Sequence, residues 1–342
     1  MIKFQEIDLK ALAPNPANGG RFEPMGLLQR IDPLFGESCR IVSGAKLQPD
    51  QTPDLEDFVL KRGFCPFCAD VIEKLTFPFP SEIVPAGRIV NGSSWVVPNI
   101  LAYSTYSAVG VYDTSRHFLH LGDFTEEILF NAFSGMLEHG RSVRRHDNAV
   151  RYSSINANYL PSSGSSLPHP HLQSSHDFVP LSSQRRMESL LRSYAGEYGS
   201  TYFGDLISQE SGGARWVGKV GSYSFLVPFA PSGFHEVWAV HDSKTDLVEM
   251  NDEDTTFLAS GLAKVLGVYE KKNLSAFNFS LQGLPVESAE FGSRILFRIT
   301  TRSAIEPYYR SDVTYFERLC GEAMIDYLPE AWAEELRSEF GT

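Results

Sequence analysis

The sequence predicts an α+β fold made of two tandem half-barrels, each an antiparallel sheet with one helix packed on a face. Three observations carry that expectation. A pattern of strand, strand, helix, strand, strand occurs twice along the chain. Each copy holds one long segment whose apolar residues recur at helical spacing. At 342 residues the chain is long enough for two medium domains, each able to bury its own core.

In the first copy, Ser94-Trp95-Val96-Val97-Pro98 and residues 107–112 read as strands. Asp123-Phe124-Thr125-Glu126 then offers a capping residue and an acidic first turn. Ile128, Leu129, Ala132, Phe133, Met136 and Leu137 follow at helical spacing, and Gly140 is the expected stop. Two β-rich stretches, 152–159 and 167–179, complete the copy. The second copy repeats the order. Ser224-Phe225-Leu226-Val227-Pro228 and residues 236–240 are its first strands, and a helix begins near Asn251-Asp252-Glu253-Asp254. That helix carries Phe257, Leu258, Gly261, Leu262, Val265, Leu266 and Tyr269, and strands are expected at 276–281 and 294–300. The polar stretch 182–213, with a short helix around 186–194, separates the copies. The expected domains are residues 1–195 and 196–342, with a terminal helix over 330–340.

Hydrophobic residues make up 42% and charged residues 21%, the balance of an ordinary soluble globular protein. The start, Met1-Ile2-Lys3-Phe4-Gln5-Glu6, has no apolar leader core, and no apolar run reaches the roughly 18 residues of a bilayer span. The expectation is a cytoplasmic protein with no membrane partner. A net charge of −12 disfavours a nucleic-acid partner, whose phosphate backbone is held by clustered Lys and Arg. The basic run 141–146 reads as a solvated helix end.

Of the four cysteines, Cys39, Cys65, Cys68 and Cys320, only Cys65 and Cys68 are neighbours. Four cysteines in so long a chain do not make a disulfide framework. Cys65-Pro66-Phe67-Cys68 fits half of a tetrahedral zinc site, with histidines as the natural completion. The segment Gly164-Ser165-Ser166-Leu167-Pro168-His169-Pro170-His171-Leu172-Gln173 is the other unusual feature. In an extended strand His169 and His171 point to one side, and Pro170 stiffens the pair. The upstream glycine and serines offer hydroxyls and backbone N–H groups of the kind that bind phosphate oxygens. The plain alternative is that both histidines merely sit on a loop.

With those residues in hand, His169-Pro170-His171-Leu172-Gln173 resembles the His-Pro-His-x-Gln signature of the galactose-1-phosphate uridylyltransferase family, in the histidine triad superfamily. Nearly the whole chain takes part. Asp32-Pro33-Leu34-Phe35-Gly36 is similar to an early family element, Cys65-Pro66-Phe67-Cys68 to its zinc knuckle, and Val97-Pro98-Asn99 to the strand end that holds the ribose. Asn158 and Ser166 stand thirteen and five residues before His171, as do the family's phosphate contacts. The ending from Gly321-Glu322 to Pro329-Glu330-Ala331 is also similar.

The resemblance implies two half-barrels of the histidine triad type. It implies a structural zinc ion held by Cys65, Cys68, His117 and His169, with His120 as a rival for the third position. His171 is then the nucleophile. Gln173, Ser165, Ser166 and Asn158 contact the nucleotide's phosphates, Asn99 its ribose, and Lys46 a phosphorylated acceptor. The implied activity moves UMP or AMP between a nucleotide sugar and a phosphate or sugar-phosphate acceptor, through a covalent nucleotidyl-histidine; the implied assembly is a homodimer. The chain departs from the family at several points. No histidine follows His241, so the family's second metal site is expected to be absent. Lys46 is the only cation in Ser43-Gly44-Ala45-Lys46, Ile100 replaces an acidic residue, and the tail around Tyr315 and Phe316 lacks a lysine. Two alternatives therefore stay open: a nucleotide phosphorylase or hydrolase using the same histidine, and a non-catalytic protein that binds zinc and nucleotide.

Overall fold

In the computed structural model the described residues are 2–42, 55–60, 63–305 and 311–341. The N-terminal strands are β1 (Gln5–Asp8), the hairpin β2 (Ala11–Asn15) and β3 (Arg21–Met25), β4 (Leu27–Ile31) and β5 (Ser38–Val42). Helices α1 (Leu55–Leu60) and α2 (Ile72–Leu75) come next. The first copy of the repeat is β6 (Ile89–Asn91), β7 (Ser94–Pro98), β8 (Tyr106–Val111), α3 (Glu126–His146), β9 (Tyr152–Tyr159) and β10 (His171–Asp177). Helices α4 (Ser182–Tyr198) and α5 (Tyr202–Glu210) lead to the second: β11 (Trp216–Val220), β12 (Tyr223–Leu226), β13 (Val237–His241), α6 (Asp252–Lys271), β14 (Ala276–Gln282) and β15 (Leu296–Arg302). β16 (Glu322–Ile325) and α7 (Pro329–Phe340) follow.

Both copies join in one antiparallel sheet of ten strands, ordered β11-β12-β13-β15-β14-β9-β10-β8-β7-β6. The seam is the β9–β14 pair. Read outward from it, the two halves have the same order, β9-β10-β8-β7-β6 and β14-β15-β13-β12-β11. The repeat in the sequence is thus a repeat in space.

Helices α3 and α6 lie side by side on one face of this sheet. Their starts match the capping signals. Thr125 accepts from the Ile128 N–H, while Asn251 and Asp254 cap one another reciprocally. Gly135 and Gly261 hold the same place in the two helices, where the helix axis comes closest to the sheet. A Cβ on Gly135 would stand 2.9 Å from Val96 and one on Gly261 2.1 Å from Phe225, so glycine permits both approaches. The apolar faces between helix and sheet form the main core, with Phe133, Met136, Leu172, Phe225, Leu262, Phe277 and Phe297 fully buried.

Two boundaries differ from expectation. Gly140 does not stop α3, which runs on to His146; its missing side chain makes room for the His176 ring, 2.9 Å from where a Cβ would be. The basic run therefore forms the last turn, with Arg144, Arg145 and His146 at the negative end of the helix dipole. β10 begins at His171 and not near 167, because Pro168 and Pro170 have no N–H to give a ladder.

A second sheet, ordered β1-β4-β5-β16, escaped the sequence reading. In it β16 runs parallel to β5, and its inner face covers Phe229, Ala230 and Phe234. Buried Arg30 of β4 pairs with Glu6 and with Glu330 of α7, so this sheet is tied to the last helix by charge as well as by packing. No helix among the described residues is long and apolar enough to cross a membrane.

Candidate active site

The chemistry lies on the sheet face opposite α3. Alternation along β10 sends Leu172, Ser174 and His176 toward the helix and His171 and Gln173 to the other side. Gln173 pairs with Asn156 of β9, which puts Asn156 and Asn158 on the same face as His171. Across the seam Asn158 pairs with Asn278.

Four ligand atoms converge just before β10. The sulfurs of Cys65 and Cys68 and one ring nitrogen each of His117 and His169 lie within 4.8 Å of one another. Three separations are resolved individually: Cys65 Sγ to His169 Nδ1 is 3.4 Å, Cys68 Sγ to His117 Nδ1 3.3 Å, and Cys68 Sγ to His169 Nδ1 3.8 Å. Bonds of about 2.1 Å to nitrogen and 2.3 Å to sulfur put the ligand atoms of a tetrahedral site about 3.3–3.8 Å apart. The cluster has the size and donor chemistry to hold a metal ion.

Its protonation states agree. His169 Nε2–H donates to the carbonyl of Asp113 at 2.9 Å; a carbonyl only accepts, so the proton sits on Nε2 and Nδ1 presents its lone pair to the cluster. Burial drives the His169 pKa down to about 4 and lowers that of His117, keeping both rings neutral. Cys65 also accepts from the Phe67 N–H at 3.4 Å. Burial pushes its thiol up to about 11, so a thiolate there calls for a cation beside it. His120 lies outside the cluster, packed edge-on against Phe118.

His171 is oriented by the same logic. Its Nδ1–H donates to the His169 carbonyl at 2.8 Å, which leaves Nε2 as the free lone pair. Among the described residues Nε2 has no partner. Burial lowers the His171 pKa, opposed by the bond to that carbonyl, and the ring is neutral near pH 7. Phe67, from between the two cysteines, packs on the His171 ring at 5.4 Å between centroids. The knuckle thus touches His171 directly, a contact that spacing could not reveal.

The segment between β9 and β10 is a tight turn. Leu160 has φ 71° and ψ 159°, a region that suits glycine, yet its side chain is buried. Its carbonyl accepts from the N–H groups of Ser163 and Ser165, and Gly164 N–H donates to Pro161. The backbone donors of Gly164 and Ser165 are therefore turned inward. Ser165 Oγ is also committed, donating to the Leu167 carbonyl at 2.6 Å. Ser166 is exposed and, like Gln173, makes no side-chain hydrogen bond among the described residues. Asn99 follows β7; its Nδ2 donates to Ser107 Oγ and its Oδ1 accepts from Leu101 N–H. Strand register puts it level with Ser107 and Ser175, four residues along the ladder from His171. Lys46 lies outside the described residues. A cavity of about 270 Å³ opens on the same sheet face beyond the seam, between Phe35, Arg186, Asn278, Ser280 and Arg298.

No profile of a known protein family matches the sequence. Among solved structures, an ADP-glucose phosphorylase from Arabidopsis thaliana with bound ADP-glucose superposes with a TM-score of 0.70 at 16% identity, covering 90% of this chain and 98% of that one. A uridylyltransferase superposes with a TM-score of 0.64 at 20% identity, covering 92% and 98%. The ten-stranded sheet with its paired helices is therefore the fold that these two enzymes share. A protein of Archaeoglobus fulgidus described as uncharacterized is 31% identical over 320 residues, 93% of this chain and 94% of its own. The chain belongs to one family with that archaeal protein.

Proposed function

We propose that this chain is a nucleotidyltransferase that carries UMP or AMP on His171 between a nucleotide sugar and a phosphate or sugar-phosphate acceptor. The observation that carries the proposal is the His171 tautomer. A ring whose Nδ1–H is held by the His169 carbonyl presents Nε2 uncharged and, among the described residues, unpartnered, on the sheet face opposite α3.

In the first half-reaction Nε2 attacks the α-phosphorus, and the bond from phosphorus to the bridging oxygen breaks. The sugar phosphate leaves with that electron pair and needs no general acid. The Nδ1 proton stays on the imidazole, and its bond to the His169 carbonyl stabilises the positive charge that develops. In the second half-reaction an acceptor phosphate oxygen attacks the same phosphorus and His171 leaves neutral. Gln173, Ser166 and Asn158 Nδ2 offer hydrogen-bond donors to the transferring phosphoryl oxygens, each worth about 3 kcal/mol in the transition state. Ser165 shapes the turn through its bond to Leu167, and Asn99 is assigned to the ribose, Lys46 to the acceptor. Zinc, when bound by Cys65, Cys68, His117 and His169, supplies a structural clamp: four protein ligands leave no place for water. The clamp fixes the carbonyl that orients His171.

Proteins with this fold include a phosphorylase and a uridylyltransferase, so phosphate and a sugar phosphate both belong in the test as acceptors. The protein is incubated with ADP-glucose or UDP-glucose and its intact mass measured. An acid-labile gain of one AMP or UMP is expected, lost in His171→Gly and discharged by phosphate or by hexose 1-phosphate. Absence of an adduct with either donor would refute the assignment.

A further inference from the structure

The second half of the chain lacks a nucleophilic histidine, yet it meets the site at the seam, where Asn278 of β14 faces Asn158 of β9. A directed chain of hydrogen bonds runs through that contact. Arg302 Nη1 donates to Asn278 Oδ1 at 2.6 Å. Asn278 Nδ2 donates to Asn158 Oδ1 at 2.6 Å and to the Ser163 carbonyl at 3.0 Å. Behind Arg302 stands Asp312, which accepts from Arg302 Nε at 2.7 Å and from Ser303 Oγ at 2.9 Å. Both carboxylate and guanidinium are largely shielded from solvent.

The polarity of this chain follows from its first member. A guanidinium has no acceptor, so the end of the Asn278 amide that meets Arg302 must be oxygen. Its nitrogen then faces Asn158 and Ser163. A donor at that point requires the oxygen of Asn158, and Asn158 Nδ2 is left pointing away from the seam. Among the described residues Nδ2 has no partner, and it lies on the face that presents His171 and Gln173.

We infer that Arg302, held by Asp312, sets the orientation of Asn278 and through it turns Asn158 so that its N–H, not its carbonyl, meets the anionic phosphoryl group. These are positioning residues contributed by the half that lacks a His-Pro-His segment. The same Asn278 amide ties down the turn that carries Ser166, through the Ser163 carbonyl. Without the chain, Asn158 can rotate by half a turn at little cost and oppose the phosphate with an acceptor. The inference rests on the nucleotidyl-transfer reading of the site, and its test separates the two.

The first measurement needs no turnover. In protein labelled with ¹⁵N at asparagine, and assigned by substituting each residue in turn, the side-chain amide protons of Asn278 exchange slowly with solvent and those of Asn158 quickly. Arg302→Met speeds exchange at Asn278. Protected protons on Asn158 would mean that its nitrogen faces the seam and would overturn the inference. The second measurement is the rate and nucleotide dependence of adduct formation with ADP-glucose and UDP-glucose in single turnover. Arg302→Met lowers the rate at saturation about 10- to 100-fold, with less than about a threefold change in the half-saturating concentration. Arg302→Lys, which keeps a donor, recovers most of it. In an Asn158→Ala background Arg302→Met loses most of its effect, and only the part that acts through the turn held at the Ser163 carbonyl remains. An undiminished effect in that background would mark Arg302 as merely structural and sink the relay. No adduct in the wild type would refute the transferase reading, and the exchange measurement would still decide the relay.

Discussion

The rings of His139 and His176 stand 5.2 Å apart between α3 and β10, on the side of that strand turned away from His171. His176 Nδ1 is hydrogen-bonded to Ser153 Oγ, but His139 Nδ1 and His176 Nε2 have no partner among the described residues. Burial lowers the pKa of His139 to about 4 and takes that of His176 well below its ordinary value, with His139 and Arg144 adding to the effect on His176. In the unfolded chain both titrate near pH 6.5. As pH falls below that value only the unfolded state takes up protons, so stability is whole above about pH 6.5 and declines toward pH 4. For His139 alone the loss reaches about 3 kcal/mol by pH 4. Urea midpoints between pH 4.5 and 7.5 should fall with acid in the wild type and less steeply in His139→Phe. Equal slopes would show that the pair does not govern acid stability.

Removing Gln173 should separate chemistry from folding. Its amide is uncommitted in the free protein, so Gln173→Ala should leave the melting temperature within about 1 °C while lowering the rate of nucleotidyl transfer roughly 10²- to 10³-fold. The comparison is a thermal melt beside single-turnover kinetics. A large drop in melting temperature would show that the side chain has a structural partner.

The cluster at residues 65, 68, 117 and 169 should bind about one zinc ion per chain by elemental analysis. Cys68→Ser should lose that ion and lower the melting temperature by about 5 °C or more. It should also slow the transfer proposed at His171, because the carbonyl of His169 orients that ring. Wild-type stability in a metal-free preparation would remove the clamp from the mechanism.

Leu160 offers a test of backbone strain. Its φ of 71° with ψ of 159° costs about 1–3 kcal/mol for a residue with a side chain, and its burial returns part of that. Leu160→Ala keeps the strain and loses the packing, whereas Leu160→Gly loses the packing and relieves the strain. The glycine variant should therefore be the more stable by about 1–2 kcal/mol in urea unfolding, the reverse of the usual order. If alanine proves the better residue, Leu160 does not occupy that conformation.

Much of this was readable from local signals. Apolar spacing showed the existence and the buried faces of α3 and α6, the capping segments 123–126 and 251–254 their starts, and the order of strands around them a twofold plan. The convergence of Cys65, Cys68, His117 and His169 was legible because thiolate and imidazole donors leave short, specific spacings, and His120, the rival to His117, lies outside the cluster. What stayed hidden depends on partners far away in sequence. Gly140 looked like a stop because nothing local shows that His176 needs its space. Asn278 carries no motif; only the register of β14 on β9 brings it to Asn158. The same holds for β5 and β16, whose short patterns have no meaning apart from one another.

That last pairing has a consequence for biosynthesis. Residues 322–325 lie beside 38–41, so the small sheet cannot close until the segment that follows β15 has left the ribosome. Until then the segment from 38 to 42 presents an open edge, and a chain released between residues 302 and 322 has its large sheet encoded in full and its latch missing.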